Sequence, residues 1–110
     1  MNCHITATGS FLPGPRIDNE TLPAFMGELD GEAELRTKIL RMNGIKYRHY
    51  ALNRDQTATH DVYGLGTQAA QICLKGRNGQ IDYLSAGSTN TPLVGPGFAS
   101  ILHDRLSRAG

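Results

Sequence analysis

Tryptophan is absent from this 110-residue chain, and aromatic side chains make up only 6% of it. Stacking platforms for bases or sugars are therefore not expected. An excess of charge of either sign is missing too: 11 Lys+Arg against 10 Asp+Glu leave a net charge of +1. That gives no electrostatic ground for nucleic acid or an anionic membrane as a partner. Long apolar runs are also lacking. No window approaches about 18 continuous apolar residues, so no membrane span is expected. The start, Met1-Asn2-Cys3-His4-Ile5, has no charged stretch leading into an apolar one, so no secretory signal is read there. Cys3 and Cys73 allow one disulfide at most and fit no zinc spacing. His4, His49, His60 and His103 match no metal-ligand spacing either. These absences predict a reduced, cytoplasmic protein without a metal site.

What is present suits a single small domain. Hydrophobic residues reach 39%, and 13 glycines and 5 prolines predict several short elements joined by tight turns. A chain of this size buries only about 60–70% of its unfolded surface, so there is room for it to fold alone, but with little margin.

The pattern along the chain alternates. Residues 4–12 read as a strand, with Ile5, Ala7 and Gly9 on one face and β-branched Thr6 and Thr8 on the other. Gly9 inside a strand signals close backbone approach. Pro13-Gly14-Pro15 ends it. A helix is predicted from Asn19 as N-cap, with Leu22, Phe25, Met26 and Leu29 as its apolar stripe. Asp30-Gly31 closes it. A second helix over 32–42 carries Leu35, Ile39 and Met42 on one face, Glu32 and Glu34 near its start, and Lys38 and Arg41 near its end. Asn43-Gly44 is the left-handed stop.

Residues 45–52 form an extended, basic segment. A long helix over 57–76 is predicted, with Thr59 as cap and Asp61 in the first turn. Val62, Leu65, Gly66, Ala69, Ile72 and Cys73 share one face of it. Gly64, Gly66, Ala69 and Ala70 thin that face, so another element can approach closely. Residues 81–86 read as a short strand. A Ser/Thr/Gly/Pro-rich loop over 87–97 leads into a last helix with Phe98, Ile101, Leu102 and Leu106 as its stripe. Pro96 stands in its first turn and Gly110 at its stop. Alternating strands and helices predict an α/β fold with parallel strands. Two or three strands are few for such a sheet, which must be covered on both faces. The pattern looks unfinished.

Four segments, in order, resemble the N-terminal part of a β-ketoacyl-acyl carrier protein synthase III, in the thiolase-like superfamily. They are Ile5-Thr-Ala-Thr-Gly-Ser-Phe-Leu-Pro13, Asn43-Gly-Ile-Lys-Tyr-Arg-His49, the helix from Thr57 to Ala70, and Ile81-Asp-Tyr-Leu-Ser-Ala-Gly-Ser-Thr-Asn-Thr-Pro92. The resemblance implies that residues 1–110 are an N-terminal portion of a layered α/β/α thiolase-like core, incomplete as it stands. It implies a condensing acyltransferase of fatty acid or polyketide synthesis, homodimeric when complete. Its substrates would be coenzyme A or phosphopantetheine thioesters, with an acyl carrier protein as partner and no separate cofactor. The family's catalytic Cys, His and Asn match no residue of this chain, so none of its residues is expected to be catalytic. The chain is then a fragment, one piece of a cleaved protein, or a subunit whose complementary chain carries the Cys. A standalone α/β binding module is the alternative from another class.

By the same resemblance Thr89 lines the acyl pocket, and Leu93, Gly95 and Phe98 belong to a stretch that caps a neighbouring subunit's pocket. The family often has a bulky aromatic where Gly95 stands, which implies room for an acyl group larger than acetyl. Lys38, Arg41 and Lys46 would lie beside the thioester tunnel. Lys38 and Met42 stand where the family has its adenine-stacking Trp and a nearby Arg, which favours delivery by a carrier protein. Without the resemblance these basic residues read as a solvated face, Cys3 and Cys73 as inert thiols, and His49 as a structural hydrogen-bonding residue.

Overall fold

The computed structural model describes residues 1–27, 33–78 and 80–109. The element order is β1 (Ile17–Asp18), α1 (Leu22–Met26), α2 (Ala33–Met42), β2 (Tyr47–Arg48), α3 (Val62–Leu74) and α4 (Phe98–Arg108). The fold is mixed α/β, and the chain divides into two compact units. The expected cap-side Glu32, the stripe residue Leu29, the Asp30-Gly31 stop and the terminal Gly110 lie outside the described residues.

The first unit spans Leu12–His60. Its two short strands pair antiparallel, with Ile17 opposite Arg48 and Asp18 opposite Tyr47. This is the sheet of the described residues, and it replaces the parallel sheet expected from the alternating pattern. The extended basic segment does supply a strand, but a local one. Asn19, expected as the N-cap of α1, instead bridges to that segment. Its Nδ2 donates to the Ile45 carbonyl at 3.3 Å, and its Oδ1 accepts from Arg48 Nη1 at 2.5 Å. The N-cap of α1 is Thr21, with no side-chain cap bond, and the turn ahead of it is closed by Asp18. Its Oδ1 accepts from the N–H groups of Glu20 (3.1 Å) and Thr21 (2.8 Å) and from the Thr21 hydroxyl (2.8 Å). These bonds, the Thr21 N–H first, hold its carboxyl below the usual range. α1 then starts at Leu22, with Pro23 in its first turn, where no N–H is needed.

The core of this unit is Ile17, Leu22 and Phe25, with Leu40 and Tyr50 packed against it. α2 contributes Leu40, not the expected stripe. Leu35 and Ile39 are each 54% exposed and Met42 is 77% exposed. The helix stands where the periodicity places it, but among the described residues its side toward the core carries Leu40 and not the expected stripe. Gly44 follows the helix at φ 70°, the left-handed stop expected of Asn43-Gly44. His49 Nδ1 lies 3.2 Å from the Gly14 carbonyl, so that nitrogen carries the proton and donates. This is the structural bond that the residue's plain reading anticipates.

The second unit is Met1–Phe11 together with Asp61–Gly110. α3 begins at Val62, and its N-cap is Asp61, whose Oδ1 accepts from Gly64 N–H at 2.5 Å, not the expected Thr59. Gly76 follows its end at φ 74°. α4 packs on α3 through the thinned face. A Cβ on Gly66 would lie 3.1 Å from Leu102 Cδ2 and 3.5 Å from Phe98 Cζ. Tyr63 and Phe98 stack at 5.3 Å between ring centroids, and Tyr63 and Leu102 are buried. Residues 1–11 approach α3 closely. A Cβ on Gly9 would lie 2.5 Å from the Ala69 carbonyl oxygen and 2.6 Å from Cys73 N, so only glycine fits. Arg77 donates to the Thr6 carbonyl. α4 starts at Phe98 with Gly97 as cap, so Pro96 stands ahead of the helix rather than in its first turn.

The two segments expected as strands, 4–12 and 81–86, hold no ladder. A strand ladder needs a second extended backbone, and among the described residues no second strand runs alongside either segment. Some of their large apolar side chains stay in water, Ile5 88% and Tyr83 83% exposed, while Phe11 and Leu84 are half-buried. The whole chain exposes 8835 Å². A compact monomer of this mass exposes about 5,900 Å², and two separate compact bodies of half the mass about 7,200 Å² together. The exposed area exceeds both values.

Candidate functional site: a basic helix and a polar loop

Two groups of residues carry the functional expectation, and each lies in a different unit. The basic group sits in the first unit. Lys38 and Arg41 are three residues apart on α2, which places them side by side on the helix surface. With Ala33, Glu34, Thr37 and Met42 they line an open hollow of about 540 Å³. Arg41 also borders a second hollow on the side of Arg36 and Leu40. Lys46 is not brought to them. It lines a hollow of about 300 Å³ with Asp18, Asn19, Glu20 and Tyr47. All three cations are exposed. The structure thus joins Lys38 with Arg41 and leaves Lys46 in a mixed-charge setting.

The loop group sits in the second unit. Thr89, Leu93 and Gly95 are exposed, and Val94 projects fully into solvent. Ser88 and Asn90 close a local turn: the Ser88 hydroxyl donates to the Asn90 carbonyl at 3.1 Å and accepts from its N–H at 3.2 Å. A Cβ on Gly95 would meet nothing within 4 Å. Phe98 differs from the other three. It is half-buried and stacked on Tyr63, so its ring is engaged between α3 and α4.

Cys3 is exposed and Cys73 half-buried on α3, both as free thiols. Among the described residues no three His, Cys, Asp or Glu side chains gather as a metal site would require. No helix among them is long and apolar enough to cross a membrane.

Sequence reasoning missed a charge-assisted clasp that ties α4 to the start of α3 in the second unit. Arg105 on α4 donates two hydrogen bonds to Asp61, Nη1 to Oδ1 at 2.8 Å and Nη2 to Oδ2 at 2.7 Å. The guanidinium also lies 5.4 Å from the Tyr63 ring centroid. Arg105 first, and then the Gly64 N–H, hold the Asp61 carboxyl below its usual range, against the opposing effect of partial burial. Asp61 is visible in the sequence as a first-turn acid, but its partner is 44 positions away and carries no local signal. Tyr63 was missed as well. Its hydroxyl is buried without a hydrogen-bond partner among the described residues.

No family model matches the chain. It is 38% identical over 71 residues to the beta-ketoacyl-acyl-carrier-protein synthase III 1 of Lactiplantibacillus plantarum, covering 64% of this chain and 19% of that protein. It is 29% identical over 105 residues to the beta-ketoacyl-acyl-carrier-protein synthase III of two serogroup C strains of Neisseria meningitidis, covering 93% of this chain and 29% of those proteins. The chain therefore spans between a fifth and a third of the length of these curated relatives.

Proposed function

We propose that the chain contributes part of a condensing acyltransferase of the thiolase-like superfamily. Within that class the reading is narrower: residues 1–110 form the N-terminal segment of a β-ketoacyl-acyl carrier protein synthase III-like enzyme. The observation that carries it is the similarity to the Neisseria synthases along 93% of the chain. The four sequence segments that resemble the family fall in that family's order.

In such an enzyme an acyl thioester acylates a cysteine thiolate and releases the carrier thiol. A malonyl thioester then loses carbon dioxide, and its C2 carbanion attacks the acyl-cysteine carbonyl. A carbon–carbon bond forms, the carbon–sulfur bond breaks, and the thiolate returns. The cysteine, and the His and Asn that stabilise the oxyanion and enolate, are residues outside this chain. What these 110 residues would supply is positioning. Lys38 and Arg41 would face the phosphate of a phosphopantetheine arm or the acidic surface of its carrier protein, with Lys46 also beside the tunnel. Thr89, Leu93 and Gly95 would border the acyl group, while Phe98 anchors their loop to Tyr63.

Glycine at position 95, where the family often has a bulky aromatic, supports an acyl group longer or bulkier than acetyl. The complete polypeptide, assayed with acetyl and medium-chain thioesters, is expected to prefer the longer chains. Strict preference for acetyl would remove the size reading. The reversal K38E/R41E is expected to slow turnover of carrier-bound acyl groups, and an unchanged rate would remove the docking role.

A second reading has its own support in the segments 4–12 and 81–86, which join no strand ladder among the described residues. In it the chain is a non-catalytic subunit, and a separate, larger polypeptide completes its sheet and carries the cysteine. Co-purification with such a polypeptide favours this reading. A stable folded monomer of 110 residues instead favours a standalone binding module.

A further inference from the structure

We draw no further inference here: the strongest candidate, the cavity of about 420 Å³ that Leu74, Ile81, Leu84, His103 and Leu106 line between the ends of α3 and α4 and residues 81–84, is an unpartnered apolar groove, and nothing in the structure shows what covers it.

Discussion

Removing the Asp61 side chain tests how the second unit is held together. D61A deletes two things at once. One is the N-cap bond to Gly64, worth about 1 kcal/mol within a range of about 0.5–2. The other is the two-pronged pair with Arg105. Half of the Asp61 side chain and 38% of the Arg105 side chain are exposed, so solvent screens the pair, and it contributes about 0.2–1 kcal/mol. Together D61A costs about 1.5 kcal/mol. D61N keeps a good cap and loses only the ionic part, so it costs about 0.5–1 kcal/mol. R105Q is expected to match D61N. The assay is hydrogen exchange at the Gly64 amide, with urea denaturation followed by circular dichroism at 222 nm. A loss of about 1.4 kcal/mol speeds exchange from the open state about tenfold.

The pH dependence has a definite sign. The folded carboxyl titrates below its ordinary 3.8, chiefly because Arg105 hydrogen-bonds it. Its stabilisation is therefore complete above the unfolded value and lost as pH falls through the lower folded value. The gap between wild type and D61A is full at pH 7 and narrows below about pH 3.8 toward the capping part that a neutral side-chain oxygen keeps. Equal exchange in wild type and D61A at pH 7, or a gap that widens on acidification, would refute the clasp. Equal effects of D61A and D61N would remove the capping role and leave only the charge.

Three further outcomes follow from single contacts. G9A places a methyl 2.5 Å from the Ala69 carbonyl oxygen, so residues 1–11 must lift from α3. In a C3S background it is expected to cost about 1–3 kcal/mol and to speed labelling of Cys73 by a thiol reagent, and unchanged labelling contradicts the contact. Y63F removes a buried hydroxyl that lacks a partner, so it is expected to leave urea stability unchanged or raise it by about 1 kcal/mol. A loss of more than about 1 kcal/mol would reveal an unseen partner for that oxygen. G66V drives side-chain carbons into Leu102 and Phe98, and loss of α4 helicity by circular dichroism is the expected readout.

Local signals in the sequence carried far, and long-range ones did not. Helix positions were legible because apolar spacing and stop signals such as Asn43-Gly44 act within a few residues. Gly9 and the small residues of α3 were legible as sites of close approach, since a missing Cβ has few other uses in a strand or on a helix face. The face of α2 was not. Leu35, Ile39 and Met42 form a regular stripe, yet Leu40 meets the core, because amphipathicity names a face and not the neighbour that covers it. The segments 4–12 and 81–86 show the same limit in strand form. Their alternation describes a half-buried strand, but a ladder exists only where a second backbone runs alongside. Of the candidate site, the pairing of Lys38 with Arg41 was readable from helical spacing. The separation of Lys46 and the packing of Phe98 on Tyr63 depend on contacts that no spacing encodes.

The most direct test of the condensing-enzyme reading is the reaction itself. The native polypeptide that carries these residues, isolated from its source cells, is incubated with an acyl thioester and a malonyl-carrier thioester, and the product is identified by mass spectrometry. The account predicts a 3-oxoacyl thioester two carbons longer than the acyl donor, formed with release of carbon dioxide. A folded protein that neither takes up the acyl group nor releases carbon dioxide would contradict it.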